Sequence, residues 1–162
     1  MEAEDRPLAI VDIDGVVADV RHRLHHLEGR RKDWDAFFAA AVDDPPYEEG
    51  LAIVAELAED HEVVFLTGRP ERCRADTELW FEANGMAGHR LFMRPEGTRR
   101  PAAHVKRELL DRLAEGREVA VIVDDDPLVI AAMRSAGRPT FHATWGERSA
   151  TLHQAQEVEG RS

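Results

Sequence analysis

Two aspartates, Asp12 and Asp14, stand at the end of the apolar run Leu8-Ala9-Ile10-Val11, and Gly15 follows them directly. Carboxylates so spaced can act as a nucleophile with a general acid or base, or as ligands to a hard cation. Three more points along the chain carry similar chemistry. Thr67-Gly68-Arg69 closes the apolar run Val63 to Leu66, Lys106 sits early in an amphipathic segment, and Asp124-Asp125-Asp126 closes Val119 to Val123. A single acid at a strand end is also a common turn residue or helix cap, and Asp126 before Pro127 reads as a cap. The pair before a glycine argues for more. If the strand pleat continues, Asp12 and Asp14 share a face and repel each other until something positive intervenes, which a divalent cation would do.

The elements that must position these residues follow from the spacing of apolar side chains. Short runs rich in Val, Ile, Leu and Phe at 8–11, 63–66, 91–93 and 119–123 read as buried strands, with a final short strand expected at 139–141. Between them lie helical stripes: Leu51, Val54, Leu57 and Ala58; then Cys73, Thr77, Trp80 and Phe81; then Val105, Leu109, Leu110 and Leu113; then Val129, Ile130 and Met133. Pro70, Pro101 and Pro127 stand where first helical residues belong, and Gly85 and Gly137 where helices stop. Strands alternating with helices imply a parallel sheet between two helical layers, with the strand C-termini converging on one edge.

The segment at about 18–46 departs from this alternation. It holds Arg21, His22, Arg23, His25 and His26, a basic turn through Lys32, and a short helix capped by Asp33 with Trp34, Phe37, Phe38 and Ala41 on one stripe. It is too short for a separate cap domain and reads as a flap beside the site. The expected organisation is one domain over 1–146 and a polar tail over 147–162.

The chain has 162 residues and a formal net charge of -11, from 32 acidic and 21 basic side chains. This balance opposes passive adhesion to nucleic acid or anionic membrane, so a phosphate-bearing partner needs a local basic patch or a metal. Cys73 is the only cysteine, which excludes an internal disulfide and a thiolate zinc cluster. The acidic start lacks a signal-peptide pattern and no apolar run could span a bilayer, so a cytoplasmic location is expected, with no separate protein partner evident.

In order, DxDG, an apolar strand ending in TGR, a lysine and VDDD resemble the four motifs of the haloacid dehalogenase-like (HAD) superfamily of phosphotransferases, over about residues 8–141. The resemblance implies a three-layer, Rossmann-like α/β fold with only a small cap insert, and a Mg²⁺ cofactor. It implies that Asp12 is the nucleophile that takes the phosphoryl group and Asp14 the general acid and base. Thr67, Lys106 and the backbone amide of Gly68 would hold the phosphoryl group. Asp12, the backbone carbonyl of Asp14, and Asp124 would hold Mg²⁺, with Asp125 close by. The segment Met93 to Pro101, running into Val105-Lys106-Arg107-Glu108, and the small insert after DxDG are similar to the phosphatase half of polynucleotide kinase-phosphatases. That implies a nucleic-acid 3′-phosphate end as substrate. No GxxxxGK[ST] phosphate loop accompanies it.

Convergence of four carboxylates on one point agrees with a metal requirement, because a like-charge pair costs about 4 kcal/mol at 4 Å and an effective dielectric constant of 20. Arg94, Arg99, Arg100 and Arg107 read either as phosphate contacts or as a solvated face, and Arg69 as substrate contact or structural ion pair. His22, His25 and His26 read first as solvated, with contact to a substrate or metal as the second reading; Trp34, Phe37 and Phe38 read as packing, with base stacking as the second reading, and Trp80 as packing. Two rival functions remain at this level: a phosphatase of mononucleotides or small metabolites, and a phospho-acceptor regulatory domain.

Overall fold

Alternation along the first strand sets the layers. In the computed structural model, which describes residue 2 and residues 5–146, β1 (Leu8–Val11) sends Leu8 and Ile10 into one apolar cluster and Ala9 and Val11 into another. The first cluster holds Leu110 and Leu113 of α4 (Ala102–Leu113) and Val129 and Met133 of α5 (Pro127–Ser135). The second holds Val54 of α2 (Glu48–Leu57) and Trp80 and Phe81 of α3 (Arg74–Ala83), together with Leu27, Phe37 and Phe38 from the segment after β1. Leu8, Ala9 and Val11 have no exposed surface, as a strand covered on both faces requires.

The other strands are β2 (Glu62–Pro70), β3 (Arg90–Arg94), β4 (Val119–Asp124) and β5 (Thr140–His142). All pair in parallel, in the order β3-β2-β1-β4-β5. The path moves outward from β1 through β2 to β3 and then returns to the other side of β1 for β4. The resulting switch point lies at the C-terminal end of β1, and Val11 pairs there with both Phe65 and Val123. Such points open a crevice for ligands.

Two boundaries differ from expectation. β2 does not stop at Leu66 but runs on to Pro70, with a register break against β3 between Leu66 and Pro70. Pro70 therefore ends a strand instead of starting a helix, and a 3-10 turn, Glu71–Cys73, precedes α3. Pro lacks a donor but fits the last position of a strand that no longer needs one. The final strand is shifted by one residue from 139–141. The tail at 147–162 lies outside the described residues.

The segment after β1 forms a 3-10 helix, Arg21–Leu27, and α1 (Trp34–Ala39), whose cap is Asp33, accepting from the Ala36 amide at 3.0 Å. Its base is closed by a bridge between Ala18 and Pro46 and by the Tyr47 amide donating to the Val17 carbonyl at 2.8 Å. α2 follows at once and packs against this base through Gly50, where a Cβ would sit 2.0 Å from the Val16 carbonyl oxygen. Both partners are backbone, so neither can step aside. Gly50→Ala should therefore lower stability by about 1–3 kcal/mol, read as a lower urea midpoint at unchanged m-value.

Candidate active site

At the end of β1 the chain turns through Gly15, whose φ is +83°, a conformation natural to glycine. A Cβ there would also lie 2.1 Å from Oδ2 of Asp125. The turn thus brings the end of β1 against the end of β4. Asp12, Asp124 and Asp125 are all buried, and each offers an oxygen within 4.8 Å of the others.

Lys106 meets this cluster from α4. Asp12 and Asp124 continue the alternation of Ile10 and Ile122, the side chains that face the α4 layer. The Lys106 ammonium lies 3.0 Å from Oδ1 of Asp12 and 2.7 Å from Oδ2 of Asp124. Burial and then the Asp124 charge push the Asp12 carboxyl well above its usual range, against the pull of Lys106. Burial opposes the charge on Lys106, but Asp12 and Asp124 outweigh it and raise its pKa. The other Asp124 oxygen accepts from the Asp126 amide at 2.9 Å, and Asp126 caps α5 by accepting from the Leu128 amide. The cap reading of Asp126 is what the structure has.

Asp14 is handled differently. Its carboxylate lies among arginines, with the Lys106 charge acting on it more weakly than on Asp12. Arg69 donates to Oδ1 through Nη2 at 2.6 Å and Nε at 3.1 Å, and Arg23 reaches the same oxygen at 3.2 Å. Asp44 closes the group, accepting from Arg23 at 2.8 and 2.9 Å and from Arg69 at 3.2 Å. All four side chains are buried, with Arg23 wholly so. Burial would raise the Asp14 carboxyl, but Arg69 and then Arg23 hold it below its ordinary value. Burial wins at Asp44, whose carboxyl is raised despite Arg23.

Of the expected substrate contacts, Arg69 lies in ion pairs with Asp14 and Asp44. Thr67 is buried beside it and accepts from the Arg69 amide at 3.1 Å. Arg94 is buried too, and donates to the carbonyls of Gly68 at 3.2 Å and Arg100 at 2.8 Å, so it ties the end of β2 to the loop after β3. Arg100 is exposed and paired with Glu108; Arg99 and Arg107 are exposed. Cys73 is buried, and burial pushes its thiol up to about 11, which leaves little thiolate at neutral pH. Trp80 packs in the core as expected, and its indole donates to the Asp44 carbonyl at 2.8 Å.

Arg23 and Asp44 belong to no motif. Composition places Arg23 in a solvated polar segment and Asp44 in a chain-breaking Asp-Pro. The signal that marks Arg23 is phase: Val20, Arg23 and Leu27 fall at i, i+3 and i+7, and all three are buried. His22 is partly solvated as expected, but also contacts Oδ1 of Asp44 at 2.6 Å.

The chain matches the polynucleotide kinase phosphatase domain over residues 7–147. It belongs to that family of HAD phosphatases. Among solved structures, a chain of the Pnkp1/Rnl/Hen1 RNA repair complex matches with a TM-score of 0.73 and 22% identity, over 88% of this chain and 44% of the other. A second structure of the Pnkp1/Rnl/Hen1 complex gives 0.72, with 48% of that chain covered. The phosphatase thus spans less than half the length of these two relatives. A haloacid dehalogenase-like hydrolase from Streptococcus pneumoniae matches at 0.64 and 14% identity, over 95% of this chain and 92% of that one. No curated protein matches. Among the described residues of this phosphatase, no helix is long and apolar enough to cross a membrane.

The paired arginines make Asp44 a stringent test of the site. Removing it leaves two buried guanidinium groups facing Asp14 alone, so Asp44→Ala should cost about 3–5 kcal/mol. His22→Ala, which removes a half-exposed partner, should cost about 1 kcal/mol or less. Urea denaturation of both variants measures the difference.

Proposed function

We propose that this phosphatase is a Mg²⁺-dependent phosphomonoesterase that works through a phospho-aspartate on Asp12 and takes nucleic-acid 3′-phosphate ends. The observation that carries the chemistry is the buried Asp12 carboxylate held beside Lys106, Asp124 and Asp125 at the switch point of the sheet. A carboxylate there can attack phosphorus in line, forming an acyl phosphate as the sugar oxygen leaves. Asp14 would protonate that oxygen and then accept a proton from the water that cleaves the acyl phosphate. Two guanidinium groups fix its orientation for both transfers. Thr67, Lys106 and the Gly68 amide would hold the phosphoryl oxygens.

The donor set fits magnesium. Asp12, Asp124 and Asp125, with the Asp14 backbone carbonyl, offer only hard oxygens. Among the described residues the buried ionisable groups of opposite sign are six aspartates and four cations, Arg23, Arg69, Arg94 and Lys106, a deficit that a divalent ion would close. When bound, the ion supplies positive charge against the transferring phosphoryl group.

Support for the substrate comes from the family match and from the small insert. A site without a large cap admits the end of a polymer. Exposed Arg99 is a candidate phosphate contact, with Arg100 available if it exchanges Glu108 for a phosphate. Phosphate release should be measured with Mg²⁺ on 3′- and 5′-phosphorylated oligonucleotides, mononucleotides and sugar phosphates. The 3′-phosphorylated oligonucleotide should give the highest kcat/KM. Preference for a sugar phosphate would make the enzyme a small-metabolite phosphatase, and a stably phosphorylated chain without turnover would make it a regulatory domain.

The roles separate by substitution. Asp12→Asn should abolish release from every substrate while the protein stays folded, and EDTA should silence the wild type. Asp14→Asn should still accept phosphate from p-nitrophenyl phosphate, whose leaving group needs no proton, but hydrolyse the intermediate slowly. Rapid-quench detection of a phosphorylated protein checks this, and undiminished steady-state turnover would remove Asp14 from the second step.

A further inference from the structure

Beside the catalytic edge lies a groove of about 440 Å³ lined by Arg31, Lys32, Asp33, Trp34, Asp35 and Arg72. None of these residues belongs to the phosphoryl-transfer site. Arg31 and Lys32 come from the turn before α1, and Arg72 from the 3-10 turn after β2. Arg72 is held where it is: its amide donates to one Glu96 oxygen at 2.8 Å, and its guanidinium reaches the other at 3.4 Å and stands 5.1 Å above the Phe38 ring, with about half its side chain exposed. Trp34 is half-buried, propped on Phe37 and Phe38 at ring-centre distances of 5.7 and 5.6 Å.

The charge pattern of the lining points to its ligand. Three cations gather there in a protein whose net charge is -11. Of the two acids, Asp33 is used as the cap of α1, and Asp35 stands almost fully in solvent 3.9 Å from Arg72. Cations around a supported indole face are what a single-stranded polynucleotide needs, with phosphates on the cations and a base stacked on the ring. An apolar, enclosed ligand does not suit a lining so charged.

The groove is also connected to the reacting end. Asp14 contacts Arg23 at 3.2 Å, the Arg23 guanidinium lies 4.2 Å over the Phe37 ring, and Phe37 stacks edge-on with Trp34. Only two side chains separate the catalytic carboxylate from the indole. Because Arg72 follows β2 and its partner Glu96 follows β3, the groove lies on the β2–β3 side, away from the acids of β4.

We propose that this groove binds the nucleotides next to the 3′-phosphate, stacking one base on Trp34 and seating backbone phosphates on Arg31, Lys32 and Arg72. The assignment rests on the nucleic-acid reading of the active site. It makes the insert a specificity element for polymer over monomer.

The test is the ratio of kcat/KM for a short 3′-phosphorylated oligonucleotide to that for a nucleoside 3′-monophosphate, which fills the catalytic site but lacks the further nucleotides and backbone phosphates that the groove would hold. In Trp34→Ala this ratio should fall roughly tenfold or more, and Trp34→Phe, which keeps an aromatic face, should restore most of it. The double variant Arg31→Ala/Lys32→Ala changes a turn without touching the aromatic stack, so it carries the test if Trp34→Ala misfolds. It should lower the ratio and flatten the salt dependence of oligonucleotide KM by about 0.7 in log-log slope for each phosphate that is no longer neutralised. A wild-type ratio well above one that neither Trp34→Ala nor the double variant lowers overturns the groove assignment and leaves the function reading standing. A wild-type ratio at or below one overturns the polynucleotide reading itself, and the groove assignment with it.

Discussion

Too many carboxylates meet at one edge of the sheet, and the arrangement of the C-terminal loops answers that problem. Asp12, Asp14, Asp44, Asp124, Asp125 and Asp126 are all buried, and a buried charge without partners costs several kcal/mol. The cations are divided, not pooled. Lys106 sits between Asp12 and Asp124, while Arg23 and Arg69 interleave with Asp14 and Asp44. Each cation arrives on a different element, so forming the site requires α4, β2 and the insert to be docked together.

The division has a chemical consequence for two residues that are near neighbours in the chain. Asp12 and Asp14 are driven in opposite directions, the first upward by burial and Asp124, the second downward because Arg69 and Arg23 outweigh burial. Pairs of titratable groups separated in this way can take different tasks within one site. A cation seated on Asp12, Asp124 and Asp125 would favour the ionised form of Asp12, as a nucleophile requires. The guanidinium pair holds the Asp14 carboxylate in one orientation.

The sheet, its parallel order and the strand-end acids are legible in the sequence because they rest on local patterns: apolar runs, prolines at helix starts and acids before glycine. The length of β2 is not, because Thr67-Gly68-Arg69 resembles a turn by composition, and only pairing of Pro70 with Arg94 keeps it in the sheet. Arg23 and Asp44 are hidden for a related reason. Their bond joins positions 21 residues apart, inside a segment rich in His and Arg that composition assigns to solvent. A buried arginine is visible in advance only when the acid it needs is known, and that acid sits in a stretch that reads as a chain break. The arginines 94, 99 and 100, grouped by sequence, part in burial for the converse reason: Arg94 still belongs to β3 and turns its guanidinium inward, while the side chains of the other two stand exposed on the loop beyond it.

The insert is better described as a wall than as a flap. A flap needs a hinge and a weakly held face. Here the base is bridged at Ala18 and Pro46, the Asp44 carbonyl is bonded by Trp80, and Arg23 reaches from the insert to Asp14 itself. Swinging the segment away would unpair Arg23 from two buried carboxylates, a loss of several kcal/mol by the usual cost of breaking such pairs. The same segment turns Arg23 inward onto Asp14 and carries Trp34 on the wall of the outer groove. One piece of chain thus serves both places, and a change in its packing at Phe37 would reach both.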